Sequence, residues 1–327
     1  MQTERCKVGI IGAGSIAHKM AVTLRGMQEA ELYAIAAREL HRAEQFAATY
    51  QATKAYGTYE ELADDPEVDL VYIATPHSHH YEQARMCIQK GKPVLCEKAF
   101  TANARQAEAL IRLAEEKRVF LTEAIWTRYM PFSQTIRELV ESGIIGEARI
   151  LQANLGYAIE QVERVVRPEL CGGALYDLGV YPLNFSLMTF GEEIEQVTSA
   201  CVKNALGVDI QNSLTLTYKD GRMAVLYTTA CCATDRGAVI SGDKGYIVVE
   251  NINNPQRAVV YNKDHQEIAR HECPKQITGY EYEVAASCEA LRKGWLESPY
   301  MPHAETLSLM RMLDDLRAEW GVVYPGD

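Results

Sequence analysis

Between residues 7 and 123 the chain alternates short apolar runs with longer segments of helical periodicity, which restricts it to a parallel, doubly wound α/β sheet. Residues 7–11, 32–36, 70–75, 93–97 and 119–123 read as strands, and 15–25, 42–49 and 80–90 as helices. Thr58-Tyr59-Glu60-Glu61 has the spacing of a capping box, and Gly91 is placed to end a helix. Asn103 can cap a further helix whose Ala107, Leu110, Ile111 and Ala114 share one face. In such a sheet, ligands gather in the crevice beyond the carboxyl ends of the strands. Side chains at those ends are therefore the first places to look for chemistry.

The pattern changes after Trp126-Thr127-Arg128-Tyr129-Met130-Pro131. A helix over 132–141 is followed by strand patterns at 148–157, 197–204, 213–218, 223–231, 238–241 and 246–250, with one helix near 174–189. Leu309, Met312, Leu313 and Leu316 form an apolar stripe near the end. Runs of strands with few helices imply a largely antiparallel sheet and an α+β class for this part. At 327 residues the chain is long enough for two cores, and the pattern divides it at 1–123 and 124–327.

The net charge of −11 disfavours nucleic acid or an anionic membrane as partner. No apolar stretch reaches the roughly 20 residues that span a bilayer, and the polar start Met1-Gln2-Thr3-Glu4-Arg5 does not resemble a signal peptide. Nine cysteines without a Cys-x-x-Cys spacing suggest reduced thiols in a cytoplasmic protein.

Gly12-Ala13-Gly14-Ser15-Ile16-Ala17 follows a strand and opens a helix. Gly12 permits a tight turn, Gly14 lets backbone approach a pyrophosphate, and Ala17 allows close helix–strand packing. The phosphates would lie against the N–H groups of Ser15 and Ile16 at the helix start. The next strand ends Ala36-Ala37-Arg38, where an NAD site usually carries Asp or Glu. A small neutral Ala37 with Arg38 and Arg42 nearby favours a 2′-phosphate and hence NADP, with Glu39 keeping NAD possible. Thr75-Pro76-His77-Ser78-His79-His80 ends another strand. Its histidines have no carboxylate or cysteine partner in pattern, so no metal is expected, and His80 at the helix start is the candidate to line the nicotinamide end. Glu97-Lys98 closes the 93–97 strand and places an ammonium at the sheet's reactive edge. Asp177 and Tyr181, four apart on a helix, share a face after Gly172-Gly173. A nearby Lys⁺ would favour the Tyr181 phenolate by roughly 1–3 pKa units, towards general-base strength near neutral pH.

In order and spacing, these motifs resemble the glucose–fructose oxidoreductase/inositol dehydrogenase/MocA family over nearly the whole chain. The local matches Ala36-Ala37-Arg38, Ala55-Tyr56-Gly57, Glu123-Ala124-Ile125-Trp126-Thr127-Arg128 and Gly173-Ala174-Leu175 look most like its dimeric trans-dihydrodiol dehydrogenase/D-xylose 1-dehydrogenase (NADP) group. The resemblance implies a Rossmann domain followed by an open-faced sheet domain with helices on one face, which commonly mediates homodimerisation. It implies hydride transfer between NADP(H) and a carbinol or hemiacetal carbon of a sugar, polyol or cyclic trans-diol. Lys98 and Tyr181 would handle the proton, Asp177 would support them, and His80 and Trp126 would line the pocket. Thr75, Pro76 and Glu97 belong to the matched cofactor-side motifs. NAD-linked sugar or inositol dehydrogenase, and a non-catalytic nucleotide-sensing regulator, are the alternatives. The family's lysine is usually followed by proline, and here Ala99 stands there. Because a cis bond before a non-proline residue costs about 2.5–4 kcal/mol, the expectation is a trans Lys98–Ala99 bond and a modestly altered lysine pose.

Overall fold

A computed structural model describes residues 5–327. The chain forms two compact units, Met1–Tyr129 with Gln276–Asp314, and Met130–Lys275 with Asp315–Asp327.

In the first unit six parallel strands, β1 (Cys6–Ile11), β2 (Ala30–Ala36), β3 (Lys54–Tyr56), β4 (Leu70–Ile73), β5 (Val94–Glu97) and β6 (Leu121–Ala124), run in the order β3-β2-β1-β4-β5-β6. The order reverses between β1 and β4, which makes the crevice there the switch point of a Rossmann sheet. The connecting helices are α1 (Ser15–Gly26), α2 (Leu40–Tyr50), α3 (Tyr59–Asp64), α4 (His77–Gln89) and α5 (Ala104–Lys117). Local chemistry sets their starts. Thr58 and Glu61 exchange both capping-box bonds, at 3.3 and 3.1 Å, and Asn103 Oδ1 accepts from Gln106 N at 3.0 Å. The stripe Ala107, Leu110, Ile111 and Ala114 is buried. Helix α4 begins at His77 rather than at residue 80, because Pro76, with φ −63°, is already preorganised for the position before a helix.

The expected division at residues 123 and 124 is corrected in one respect. The helix Glu281–Lys293 inserts Val284, Cys288 and Ala290 into the core that Val8, Ile10, Tyr72 and Leu95 form. This return of a distant segment to the first unit leaves no mark in local periodicity.

In the second unit eight strands, β7 (Ala148–Gly156), β8 (Ile194–Lys203), β9 (Asp209–Tyr218), β10 (Met223–Thr229), β11 (Ala238–Gly242), β12 (Gly245–Glu250), β13 (Arg257–Asn262) and β14 (Glu267–Glu272), form one sheet. Their order is β14-β13-β12-β11-β7-β10-β9-β8, with β7 and β10 parallel and every other neighbouring pair antiparallel. Alternation along β10 sends Ala224 and Leu226 inwards and leaves Met223, Val225 and Tyr227 exposed. The helix Val180–Phe190, apolar almost all round and buried, packs against β7 and β10.

Candidate active site

The glycine loop has the features a dinucleotide requires. Gly12 has φ +97°, and a Cβ there would lie 2.8 Å from Thr75 Cγ2 and 3.1 Å from the Ala74 carbonyl oxygen. At Gly14 a Cβ would meet nothing nearer than 3.9 Å, so backbone is open to an approaching ligand. Ala17 is buried, closing α1 onto the sheet. No side chain caps α1 and its first turn carries no acid, so the N–H groups around Ser15 and Ile16 remain suited to an anion. These residues fit a pyrophosphate.

Past β2, Ala37 is buried while Arg38 and Arg42 are exposed. Both guanidinium charges act on the Tyr59 phenol, whose pKa burial nevertheless raises. Glu39, the acid that kept NAD open, faces His41 at 3.5 Å. Two exposed cations just past the end of β2 suit a 2′-phosphate.

Lys98 follows β5 and is half-buried. The Lys98–Ala99 peptide is cis, which corrects the trans expectation. Ala99 is fully buried and its carbonyl oxygen lies 2.9 Å from His80 Nδ1, so tertiary packing decides the turn. His80 is completely buried, with Nε2 2.9 Å from the Thr75 carbonyl oxygen, so it ties the Thr75-Pro76 loop to the lysine turn. Burial pushes its pKa down to about 4. The neutral ring then carries one N–H, which donates to one of the two carbonyls. Thr75 Oγ1 donates to Gln83 Oε1 at 2.6 Å.

Glu97 is buried as well, accepting from the Tyr72 hydroxyl and, at 3.2 Å, from Lys98 N. It anchors the lysine's backbone from beneath. Two further acids that sequence reasoning did not single out lie within the same field. Glu123 on β6 and Glu283 on the helix Glu281–Lys293 are almost wholly buried, and no well-aligned hydrogen bond reaches their carboxyl oxygens. Burial, then the charge of Glu97, raises Glu283 well above the carboxylate range. Burial pushes Glu123 up to about 7, against the pull of Thr306, Arg128 and Lys98. In the unfolded chain Glu123 ionises near 4.5, so between about pH 4.5 and 7 the folded state binds more protons and stability falls as pH rises. The full loss is about 3 kcal/mol. Glu123→Gln should therefore flatten the decline in Tm between pH 5 and pH 8. An unchanged pH slope in scanning calorimetry would contradict this.

Trp126, expected to line the substrate pocket, is buried within the first unit and stacks on Tyr280 with centroids 4.1 Å apart and planes 3° from parallel. Gly279, with φ +99°, brings backbone against the indole edge, where a Cβ would lie 2.6 Å from the ring. The Glu281 carboxylate accepts from the N–H groups of Ile277, Thr278 and Gly279, and Thr278 meets Thr23 of α1 at 2.6 Å. The segment before the helix Glu281–Lys293 is thus fastened across α1 and Trp126.

In the second unit the Gly172-Gly173 pair explains itself. A Cβ on Gly172 would lie 2.7 Å from the Val165 carbonyl oxygen, and Gly173 N donates to that oxygen at 2.7 Å. This close approach brings in the Glu163–Val166 turn, from which Arg164 pairs with the buried Asp177. Asp177 lies in a π-helical turn, Leu175–Gly179, that runs directly into the helix Val180–Phe190 and the buried Tyr181. Asp209 holds the start of that turn by accepting from Leu175 N at 2.7 Å, while Asn212 Nδ2 donates to it at 2.8 Å. Burial pushes Asp209 up to about 6. From the other side Tyr324 donates to the Gly172 carbonyl at 2.5 Å. Arg164 and Asp209 were not legible in the sequence, since one lies in a single helical turn of four residues and the other begins a strand with no motif around it.

Comparison with known proteins agrees with these features. The model of an oxidoreductase family with an NAD-binding Rossmann fold matches residues 6–124, and that of the GFO/IDH/MocA C-terminal domain matches 133–248. The trans-1,2-dihydrobenzene-1,2-diol dehydrogenase of Xenopus tropicalis is 38% identical, covering 98% of this chain and 99% of its own. That of Homo sapiens is 34% identical, covering 98% of each. Among solved structures, a 3-ketoreductase from Actinomadura kijaniata in complex with NADP and TDP-benzene superposes with TM-score 0.88 at 24% identity, over 96% of this chain and 98% of that one, a likeness of fold.

Proposed function

The chain belongs to the GFO/IDH/MocA family of NAD(P)-dependent oxidoreductases, and from that membership we propose that it moves hydride between NADP(H) and a carbinol or hemiacetal carbon of a sugar, polyol or cyclic trans-diol. The observation that carries this reading is Lys98 at the carboxyl edge of β5, in the sheet whose β1 leads into the phosphate-suited glycine loop. A bound nicotinamide supplies the redox chemistry. Lys98 holds the substrate oxygen and favours its ionised form, Tyr181 exchanges the hydroxyl proton, and Asp177 with Arg164 fixes the turn before Tyr181. Glu97 and His80 position the lysine turn. Trp126, through its stack on Tyr280, gives the substrate side a rigid wall. A regulator without catalysis would need none of Lys98, Asp177 and Tyr181, and the full-length likeness to dehydrogenases speaks against it.

Arg38 and Arg42 favour NADP over NAD. Arg38→Asp should weaken NADPH binding by about 10–100-fold and leave NADH within about threefold. Equal weakening of both cofactors in fluorescence titrations would refute the 2′-phosphate role.

The outward face of the second unit's sheet supports a homodimer. Met223 and Ile150 are register partners on β10 and β7, and with Val225 and Tyr227 they expose an apolar patch. Val225→Lys should yield a monomer in sedimentation, and an unchanged association state would remove this face from the assembly. The nine free thiols fit a reducing, cytoplasmic setting.

A further inference from the structure

Cys6 begins β1 and Cys288 lies on the helix Glu281–Lys293, distant in sequence yet adjacent in the first unit. Cys6 packs against the core cluster that contains Cys288, the two thiols are within hydrogen-bonding reach, and both line one cavity of about 480 Å³. Cys288 is buried, whereas Cys6 is partly exposed. Arg5, Lys7, Arg292, Glu67 and Asp69 line the same cavity, with Lys7 paired to Glu67. Hydride transfer uses neither thiol.

We propose that Cys6 and Cys288 form a redox pair that a hydroperoxide converts to a disulfide. The hydrogen bond from Cys6, then the charge of Arg292, holds the Cys288 thiol below its ordinary pKa, against burial and the charges of Asp69 and Glu29. The same hydrogen bond pushes Cys6 upwards. Arg292, one turn beyond Cys288 on the same helix and lining the same cavity, favours the Cys288 thiolate, which makes Cys288 the nucleophile and Cys6 the resolving thiol. The Cys288 thiolate attacks one peroxide oxygen, the O–O bond breaks, and the leaving oxygen departs as water or alcohol after taking a proton from solvent. The resulting sulfenic acid is attacked by Cys6, the S–S bond forms, the S–O bond breaks, and water leaves with the Cys6 proton. Two thiols lose two electrons in total and the peroxide gains them. The buried Cys87, pushed up to about 12 by its surroundings, lacks this activation.

The test treats the reduced full-length protein with hydrogen peroxide, labels the remaining thiols with N-ethylmaleimide, and maps peptides without reduction. The expected result is loss of two labels and a Cys6–Cys288 cross-linked peptide that dithiothreitol reverses. In Cys6→Ser, Cys288 should instead give a dimedone adduct. Retention of both labels in the wild type, or disulfides at other cysteines with Cys6 and Cys288 still labelled, would overturn the assignment.

Discussion

Lys98→Met should lower kcat by about 10³-fold while changing NADPH affinity by no more than about threefold. Methionine keeps an unbranched apolar stem and removes only the ammonium, and the backbone stays anchored through buried Glu97 and the His80 contact to Ala99. The phosphate side of the cofactor meets the glycine loop and the arginines, so its binding should not register the change. Tyr181→Phe, which removes one oxygen, should lower kcat by about 10²-fold with cofactor affinity again preserved. Steady-state turnover with NADP⁺ and fluorescence titration of NADPH separate these quantities. Near-normal turnover in either variant would remove that residue from the chemistry.

Gly173→Ala should cost about 3–5 kcal/mol of stability in the second unit and lower kcat by about 10²-fold, again without loss of NADPH binding. The φ of +130° is barred to an L side chain, and a Cβ would stand 2.3 Å from Asp209 Oδ1. Either backbone or carboxylate must move, and the carboxylate is what holds Leu175 N at the start of the Asp177 turn. Denaturant unfolding gives the stability change and turnover gives the functional one. Full activity with unaltered unfolding would mean that the turn does not depend on Asp209.

The nucleotide half was legible because its strands are short, mostly apolar and separated by helices of clear period. The Gly12 loop and the Thr58 and Asn103 caps carry their function in local chemistry. What escaped was long-range or compensated. β3 is only the triplet Lys54–Tyr56, β13 buries Ala258, Val259 and Val260 in succession, and β14 is an edge strand whose polar residues hide alternation. The helix Glu281–Lys293 buries Glu283, so its inward face does not read as apolar. The cis peptide at Lys98–Ala99 ran against the intrinsic preference, and the sequence held no record of the His80 contact beside it. Candidate residues could be named one by one, yet what their side chains touch depended on loops and on buried charge. His80 turned out to brace backbone, and Asp177 to hold Arg164.

The claim that Lys98 and Tyr181 serve one chemical step is tested by the double variant Lys98→Met/Tyr181→Phe. Residues that act as a unit give effects far from additive. In single-turnover measurements of NADPH formation, the double variant should lose about as much as Lys98→Met alone, roughly 10³-fold. A loss near the product of the two single effects, about 10⁵-fold, would mean that they act independently and would contradict the shared step.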